Sequence, residues 1–193
     1  MSEFMPVDCH TNGGRLAEAG RCETGSKQNF ITLYKILATG IALFEKFKAS
    51  LACDCDICRD FCKRPGWWTV DQAKNAIKSG LAPRMMMEIS PEFNFAVLSP
   101  AFYGCEGFIA TQEGAQTGCN FQKDGLCELH NTEFLPLECA FCHHDRIGEG
   151  EICHKAIEDD WKTFRGQNLV RRWQKKVDFE QKLKFLEEGN KNV

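Results

Sequence analysis

The sequence CDCDICRDFC places four cysteines on one short, acidic segment: Cys53, Cys55, Cys58 and Cys62. Core packing does not require four thiols so close together on a polar segment. A soft metal cation does, because several thiolates must converge on one point, and short spacers let a turn or the first turn of a helix supply them. The spacing therefore predicts that residues 53–62 bind metal.

A second set of cysteines follows further along the chain: Cys105, Cys119, Cys127, Cys139 and Cys142. Residues 105–144 are rich in glycine and polar side chains, which predicts loops that metal coordination would order. The turn at residues 123–125 predicts a tight hairpin that brings Cys119 and Cys127 together. Cys139 and Cys142 have the spacing of a chelating pair. We therefore expect a metal core at residues 53–142.

The nine cysteines of residues 53–142 are too many for one four-ligand site. Two sites, or one site together with reactive thiols, both fit this number. Four thiolates around zinc form a closed, structural site without redox activity. Four thiolates around iron form a single-iron site or an iron–sulfur cluster. The spacing does not distinguish zinc from iron, so the predicted cofactor is zinc or iron, with an iron–sulfur cluster as the alternative.

Four histidines near the second set add an alternative function: His130, His143, His144 and His154. They could supply nitrogen ligands or acid–base groups to an iron–sulfur redox protein or cluster-dependent enzyme. His143, beside Cys142, is the strongest of these candidates. A third hypothesis is a metallochaperone, because thiols are in surplus and Cys9 and Cys22 lie on a polar N-terminal arm. No Walker loop, G-x-S-x-G or H-E-x-x-H motif is present.

Composition limits the partners and the cellular compartment that can be expected for the protein. The 193 residues carry 24 basic and 27 acidic side chains, which gives no electrostatic reason to expect nucleic acid or an anionic membrane as a partner. The start MSEFMPVDCH does not have the pattern of a secretory signal, and the longest apolar stretch is interrupted by Lys35 and Thr39. We therefore expect a cytoplasmic protein, where metal binding is favoured over six disulfides. A protein partner is compatible with the sequence but is not identified by it.

Hydrophobic periodicity predicts a mainly α-helical fold with few short strands. Helices are expected over residues 29–51, from Val70 to the glycine at residue 80, and over 151–188 with a break near Gly166. Thr69 and Gln72 have the spacing of a capping box, and the segments MMMEIS and FNFAVLS predict short strands. The domain division is an irregular arm at 1–28, one metal-binding domain at 29–188 and a frayed tail at 189–193.

The cysteine motifs resemble those of the YkgJ-type cysteine-cluster family. Its CxxCxxCC opening is matched by Cys55-x-x-Cys58-x-x-Phe61-Cys62, followed by PGWWTVDQAKNAI. Its second block is matched by Cys119-Asn-Phe, Gly-Leu-Cys127-Glu-Leu and Pro-Leu-Glu-Cys139. The resemblance covers roughly residues 53–142. It implies chelation of zinc or iron through two cysteine-rich segments and does not imply a particular activity.

The sequence departs from the family pattern at two positions. Phe61 stands where the family has its third cysteine, and Cys53 lies two residues before the motif as a replacement ligand. Ala140 stands where the family has an arginine after the last cysteine. The resemblance implies Cys55, Cys58, Cys62, Cys119, Cys127 and Cys139 as ligands, with Cys53, Cys105 and Cys142 as further candidates.

Overall fold

The computed structural model describes residues 42–51 and 53–190, and side chains as far as residue 178. This part of the chain is mainly α-helical with few short strands, as the sequence predicts. A helical turn at residues 42–46 precedes five helices: α1 (Asp56–Phe61), α2 (Val70–Lys78), α3 (Leu137–Phe141), α4 (Gly150–Trp161) and α5 (Phe164–Asn190). Two antiparallel hairpins complete it: β1 (Met85–Ile89) with β2 (Ala96–Pro100), and β3 (Gln122–Lys123) with β4 (Leu126–Cys127).

Helix α2 begins as its sequence predicts. The Thr69 hydroxyl accepts a hydrogen bond from the Gln72 backbone N–H, and the Gln72 side chain accepts one from the Thr69 N–H, which completes a capping box. Gly80 follows the helix with a φ of 88°, a left-handed conformation that glycine adopts without strain. Gln72 also bonds the backbone of Leu135 and Leu137, at 2.8 and 3.0 Å. These bonds attach the start of α3 to α2.

The two predicted extended segments form the β1–β2 hairpin. Its register runs from Met85 opposite Pro100 to Ile89 opposite Ala96. Its methionines at 85–87 are buried, which agrees with the use of flexible Met side chains to fill a core.

The turn between β3 and β4 confirms the predicted tight hairpin. Asp124 and Gly125 have φ values of 52° and 78°, and two consecutive left-handed residues favour a two-residue hairpin loop. Gln122 pairs with Cys127, and Lys123 pairs with Leu126.

The C-terminal helical prediction is confirmed, but the break lies earlier than Gly166. Residues 162 and 163 separate α4 from α5, because Thr163 accepts a hydrogen bond from the Gly166 N–H at 3.2 Å and so starts the second helix. A Cβ on Gly166 would lie 2.5 Å from the Trp161 carbonyl oxygen. Glycine is therefore needed for the close approach of the two helices. Helix α5 extends to Asn190, beyond the predicted end at residue 188.

The predicted helix at 29–51 is wrong at its C-terminal end, because the helical turn ends at residue 46 and residues 48–51 are not helical. Its earlier part lies outside the described residues, as does the 1–28 arm with Cys9 and Cys22.

The core is centred on two fully buried tryptophans, Trp68 and Trp161. The Trp161 indole N–H donates to the Trp68 carbonyl at 2.7 Å, and the Trp68 indole N–H donates to the Phe134 carbonyl at 2.7 Å. These bonds satisfy both polar groups of the buried rings. They connect α4, the start of α2 and the segment before α3. Among the described residues, no helix is both long and apolar enough to cross a membrane.

Candidate metal centre

Three cysteines and one histidine form a compact group: Cys53, Cys55, Cys58 and His144. The His144 Nδ1 atom lies 3.5 Å from the Cys53 sulfur, 3.6 Å from the Cys55 sulfur and 3.5 Å from the Cys58 sulfur. The four ligand atoms all lie within 4.8 Å of one another. Within residues 42–51 and 53–190, this cysteine–histidine group is the only set of metal-ligating side chains that converges so closely.

The spacing of the four ligand atoms fits a tetrahedral ion. Zinc binds thiolate sulfur at about 2.3 Å and imidazole nitrogen at about 2.0–2.1 Å, so tetrahedral angles place sulfur and nitrogen about 3.6 Å apart. The three distances from His144 to the cysteines agree with that separation. The group could therefore hold a metal ion, and its donor set is typical of a four-coordinate zinc site.

Helix α1 positions two of the three cysteines, and Cys53 lies just before it. Cys55 is its N-cap and Cys58 is buried within it. Backbone hydrogen bonds, chiefly from Cys58, lower the pKa of the Cys55 thiol. Burial raises the pKa of Cys58 to about 11, although a hydrogen bond from the His144 backbone favours its thiolate. A metal ion binding here would have to displace the Cys58 proton, since thiolates are the ligands.

The loop that carries His144 is held against the chain that leads to α1. Phe47 packs edge-on against Phe141 with ring centroids 5.3 Å apart. The Ser50 hydroxyl donates to the Ala140 carbonyl at 3.0 Å, and the Arg146 guanidinium donates to the Lys48 carbonyl at 2.8 Å. These contacts bring segments that are distant in sequence together, so the position of His144, the fourth ligand, depends on the tertiary fold.

His143, the strongest histidine candidate from the sequence, lies beside the group but is not part of it. Its Nδ1 atom pairs with Asp145 at 2.5 Å, and its ring stacks on that of His144 with centroids 4.1 Å apart. The hydrogen bond to His143 lowers the pKa of Asp145. His143 can therefore orient its neighbour. Two adjacent histidines are indistinguishable by spacing, which is why the sequence does not single out His144.

A cavity of about 870 Å³ lies next to this group, and Cys53 and Cys58 belong to its wall. Its wall also contains the remaining predicted ligands, apart from Cys105. We call them the five-thiol group: Cys62, Cys119, Cys127, Cys139 and Cys142. Cys62 follows Cys58 by one helical turn but does not belong to the cysteine–histidine group, so the predicted ligands fall into two sets.

The members of the five-thiol group influence one another electrostatically. Burial raises the pKa of Cys62, and the neighbouring Cys127 raises it further. Burial also raises the pKa of Cys119 to about 11, with added contributions from Cys127 and Cys62. The pKa of Cys139 is raised in the same way, by burial and then by Cys119, Glu138 and Cys127.

Trp67 forms part of the cavity wall, whereas Trp68 belongs to the core. Trp68 is fully buried. The Trp67 ring stacks on His154 with centroids 4.1 Å apart. His154 in turn pairs with Glu138 at 2.9 Å, and the hydrogen bond to Glu138 raises the pKa of His154. Glu138 also accepts the Trp67 backbone N–H at 2.7 Å.

Cys105 and Cys153 lie outside both thiol sets. Cys105 packs in a small apolar cluster with Met86, Ala101 and Phe102. Cys153 is fully buried in the main core, and burial raises its pKa to about 12. Neither residue lines the cavity. The assignment of Cys105 as a metal ligand remains a prediction. His130 lines the cavity but does not belong to the cysteine–histidine group.

Comparisons with family models, with curated proteins and with solved structures find no match to this chain.

Proposed function

We propose that the protein binds one zinc ion through Cys53, Cys55, Cys58 and His144. The observation that carries this proposal is the separation of 3.5–3.6 Å between His144 Nδ1 and each of three sulfurs. Unliganded thiols gain little from converging on an imidazole, whereas a tetrahedral ion requires that distance. Three thiolates with one imidazole favour zinc, and a single iron is the alternative.

The zinc ion would hold α1 against the loop at residues 142–146. Zinc in a four-ligand protein site has no open position and no redox chemistry, so its contribution is to the stability of these two segments. The chain's own residues do the positioning, because Ser50 and Arg146 already connect these regions. The main core is separate from the ion, because none of the four proposed ligands belongs to it.

Metal transfer is a second candidate function, favoured by the exposure of the site. Cys53 and Cys55 are half-buried and His144 is exposed, so three of four ligands can be reached from solvent. A competing chelator separates the two functions. A structural ion would be retained until the protein unfolds, whereas a transferable ion would leave the folded protein rapidly.

We also propose membership of the YkgJ-type cysteine-cluster family and a cytoplasmic location. The order of the two cysteine blocks supports the family. The ten described cysteines are free thiols, which supports a reducing compartment.

Cobalt substitution tests the zinc proposal. Full-length protein, stripped of metal under reducing conditions, is titrated with Co²⁺ and then with Zn²⁺. We expect the visible absorption of tetrahedral cobalt–thiolate at one equivalent, bleached by one equivalent of zinc, and absent from Cys55→Ser. The matched control, Cys105→Ala, replaces a buried cysteine outside both sets and should bind like the wild type. Absence of the tetrahedral spectrum in wild-type protein would refute the proposal.

A further inference from the structure

The three cysteines of the cysteine–histidine group lie close enough to one another for a disulfide bond to form between two of them. Their sulfur atoms all lie within 4.8 Å of one another, and all three are free thiols. A disulfide brings two sulfurs to about 2.0 Å, which rotation of the cysteine side chains can achieve from this starting distance. Residues 53–55 precede α1 and are not helical, so no helix restrains this end of the group.

Cys55 and Cys58 are the pair with the most suitable backbone. Cys55 is the N-cap of α1, and Cys58 lies in the first turn of this six-residue helix. Residues three apart on a helix have Cβ atoms about 5–6 Å apart, and a disulfide needs about 3.5–4.5 Å. A small adjustment of the first turn therefore suffices. The C-x-x-C spacing is also the one that redox-active disulfides use.

The two sulfurs differ in their access to solvent. Cys55 is half-buried, whereas Cys58 is only 8% exposed. An oxidant from solvent therefore meets Cys55 first, and Cys58 is placed beside it as the second thiol, which is the usual arrangement at redox-sensing cysteines. Thiolate is the reactive form of cysteine. A bound zinc ion keeps both ligands in that form, so the reaction does not have to wait for either thiol to lose a proton.

We propose that a hydroperoxide oxidises Cys55 and Cys58 to a disulfide and that this reaction releases the zinc ion. The inference rests on the proposed zinc site and adds its regulation. The Cys55 thiolate attacks one peroxide oxygen, the O–O bond breaks, and Cys55 becomes a sulfenic acid while the second oxygen leaves as hydroxide. The Cys58 thiolate then attacks the Cys55 sulfur and displaces the sulfenic oxygen as hydroxide. Solvent protons convert both hydroxides to water, so two thiolates lose two electrons and one hydrogen peroxide gains them.

The disulfide removes two of the four zinc ligands. Cys53 and His144 remain, and they come from two segments that are distant in sequence. Because two directly bound thiolates are lost, zinc affinity should fall by far more than the about 10–100-fold typical of changes outside the ligand set. Release of the ion would also remove the link between α1 and the loop at residues 142–146. Thiols of a reducing compartment would reverse the oxidation, since disulfides there are transient.

Peroxide treatment of zinc-loaded, full-length protein tests the inference. A chromophoric chelator, too dilute to remove zinc from untreated protein, reports the release of zinc. We expect one zinc per chain to be released by hydrogen peroxide and taken up again after dithiothreitol. Trypsin cleaves after Lys48 and Arg59, so one peptide carries all three cysteines. After alkylation of the oxidised protein, this peptide should carry an alkylated Cys53 and have lost two hydrogen atoms. The fully buried Cys153 should remain a thiol, as an internal control.

Cys58→Ser tests the order of the two steps. Without the second thiol, peroxide should leave Cys55 as a sulfenic acid, which dimedone traps, and no disulfide should form within the peptide. Zinc that stays bound during peroxide treatment, or zinc that leaves without a Cys55–Cys58 disulfide, would overturn the inference and leave the zinc site intact. Protein that binds no zinc before oxidation would instead refute the proposed function, and the inference with it.

Discussion

The cysteine–histidine group and the five-thiol group use the same side chains in two different arrangements. In the first, three cysteines from one turn and one imidazole lie within 4.8 Å of one another. In the second, thiols from distant segments line a cavity of about 870 Å³, and none of them belongs to the cysteine–histidine group. Ligands that are neighbours in sequence can meet on a single ion. Thiols carried by separate elements are positioned by the packing of those elements.

The two groups also differ in whether local or tertiary contacts position their side chains. Cys53, Cys55 and Cys58 are brought together by the start of α1, so their arrangement depends little on the rest of the fold. The five-thiol group depends on the capping of α2, on the β3–β4 turn and on the attachment of α3 to Gln72. Changes to the core should therefore affect the cavity more than the zinc site, and changes to α1 should do the reverse.

The largest effect should come from Cys58→Ser, which removes the buried ligand of the zinc site. Because a directly bound thiolate is lost, zinc affinity should fall by more than the about 10–100-fold typical of changes outside the ligand set. Chelator competition measures this change. Cys119→Ser, which removes a thiol of the cavity wall, should keep the wild-type zinc affinity. Unchanged zinc affinity in Cys58→Ser would contradict the proposed ligand set.

The two adjacent histidines provide a matched pair for the next largest effect. His144→Ala removes the nitrogen ligand and should weaken zinc binding strongly, while three thiolates remain. His143→Ala removes a ring that stacks on His144 and pairs with Asp145, so it should weaken binding by about 10–100-fold or less. Zinc affinities of the two variants and the wild type, measured with the same chelator, check the order. A stronger effect of His143→Ala would contradict the proposed ligand set.

Substitution of Gly66, a glycine at the cavity wall, should affect only the cavity and not the zinc site. A Cβ on Gly66 would lie 2.8 Å from the Cys139 sulfur and 2.9 Å from the Cys139 backbone nitrogen. Gly66→Ala should therefore cost about 1–3 kcal/mol of unfolding free energy, as overpacking does, without changing zinc binding. Urea denaturation and metal analysis measure both effects.

Gly150→Ala is the control for that variant, because nothing lies within 4 Å of the added Cβ. Since Gly150 lies in the first turn of α4, the substitution should be neutral or stabilise the protein by about 0.5 kcal/mol. Equal destabilisation by both substitutions would show that contact with Cys139 is not what makes a larger side chain unfavourable at residue 66.

The smallest effect concerns an ion-pair cluster on α4 that touches neither region. Lys162 and Lys155 hold the pKa of Glu158 at about 2, below its ordinary value of 4.5. Because the folded pKa is the lower one, the stabilisation is complete above about pH 5 and disappears as the pH falls towards 2. Glu158→Gln should therefore cost up to about 1 kcal/mol at neutral pH.

Urea denaturation of this variant and the wild type between pH 2 and 7 measures the difference. The two unfolding free energies should converge as the pH falls. A difference that is the same at every pH would contradict the ion-pair explanation. Equal zinc contents of the two proteins at pH 7 would show that the ion pairs of Glu158 do not affect the zinc site.

Local patterns account for the parts of the fold that the sequence predicts. The Thr69–Gln72 capping box, the Asp124–Gly125 turn and the two segments around residues 85–100 each involve groups that are neighbours along the chain. The sequence also identifies the cysteine-rich segments as the candidate site. His144 and the position of Cys62 could not be predicted, because both depend on contacts between distant segments. Cysteine spacing likewise does not distinguish a core thiol such as Cys153 from a ligand.

X-ray absorption at the zinc edge of protein purified from cells identifies the zinc ligands, since it reports only the atoms bound to zinc. We expect three sulfur neighbours at about 2.3 Å and one nitrogen at about 2.0–2.1 Å, with the nitrogen lost in His144→Ala. A shell of four sulfurs that is unchanged in His144→Ala would contradict this expectation. That result would place zinc among the cysteines of the cavity instead.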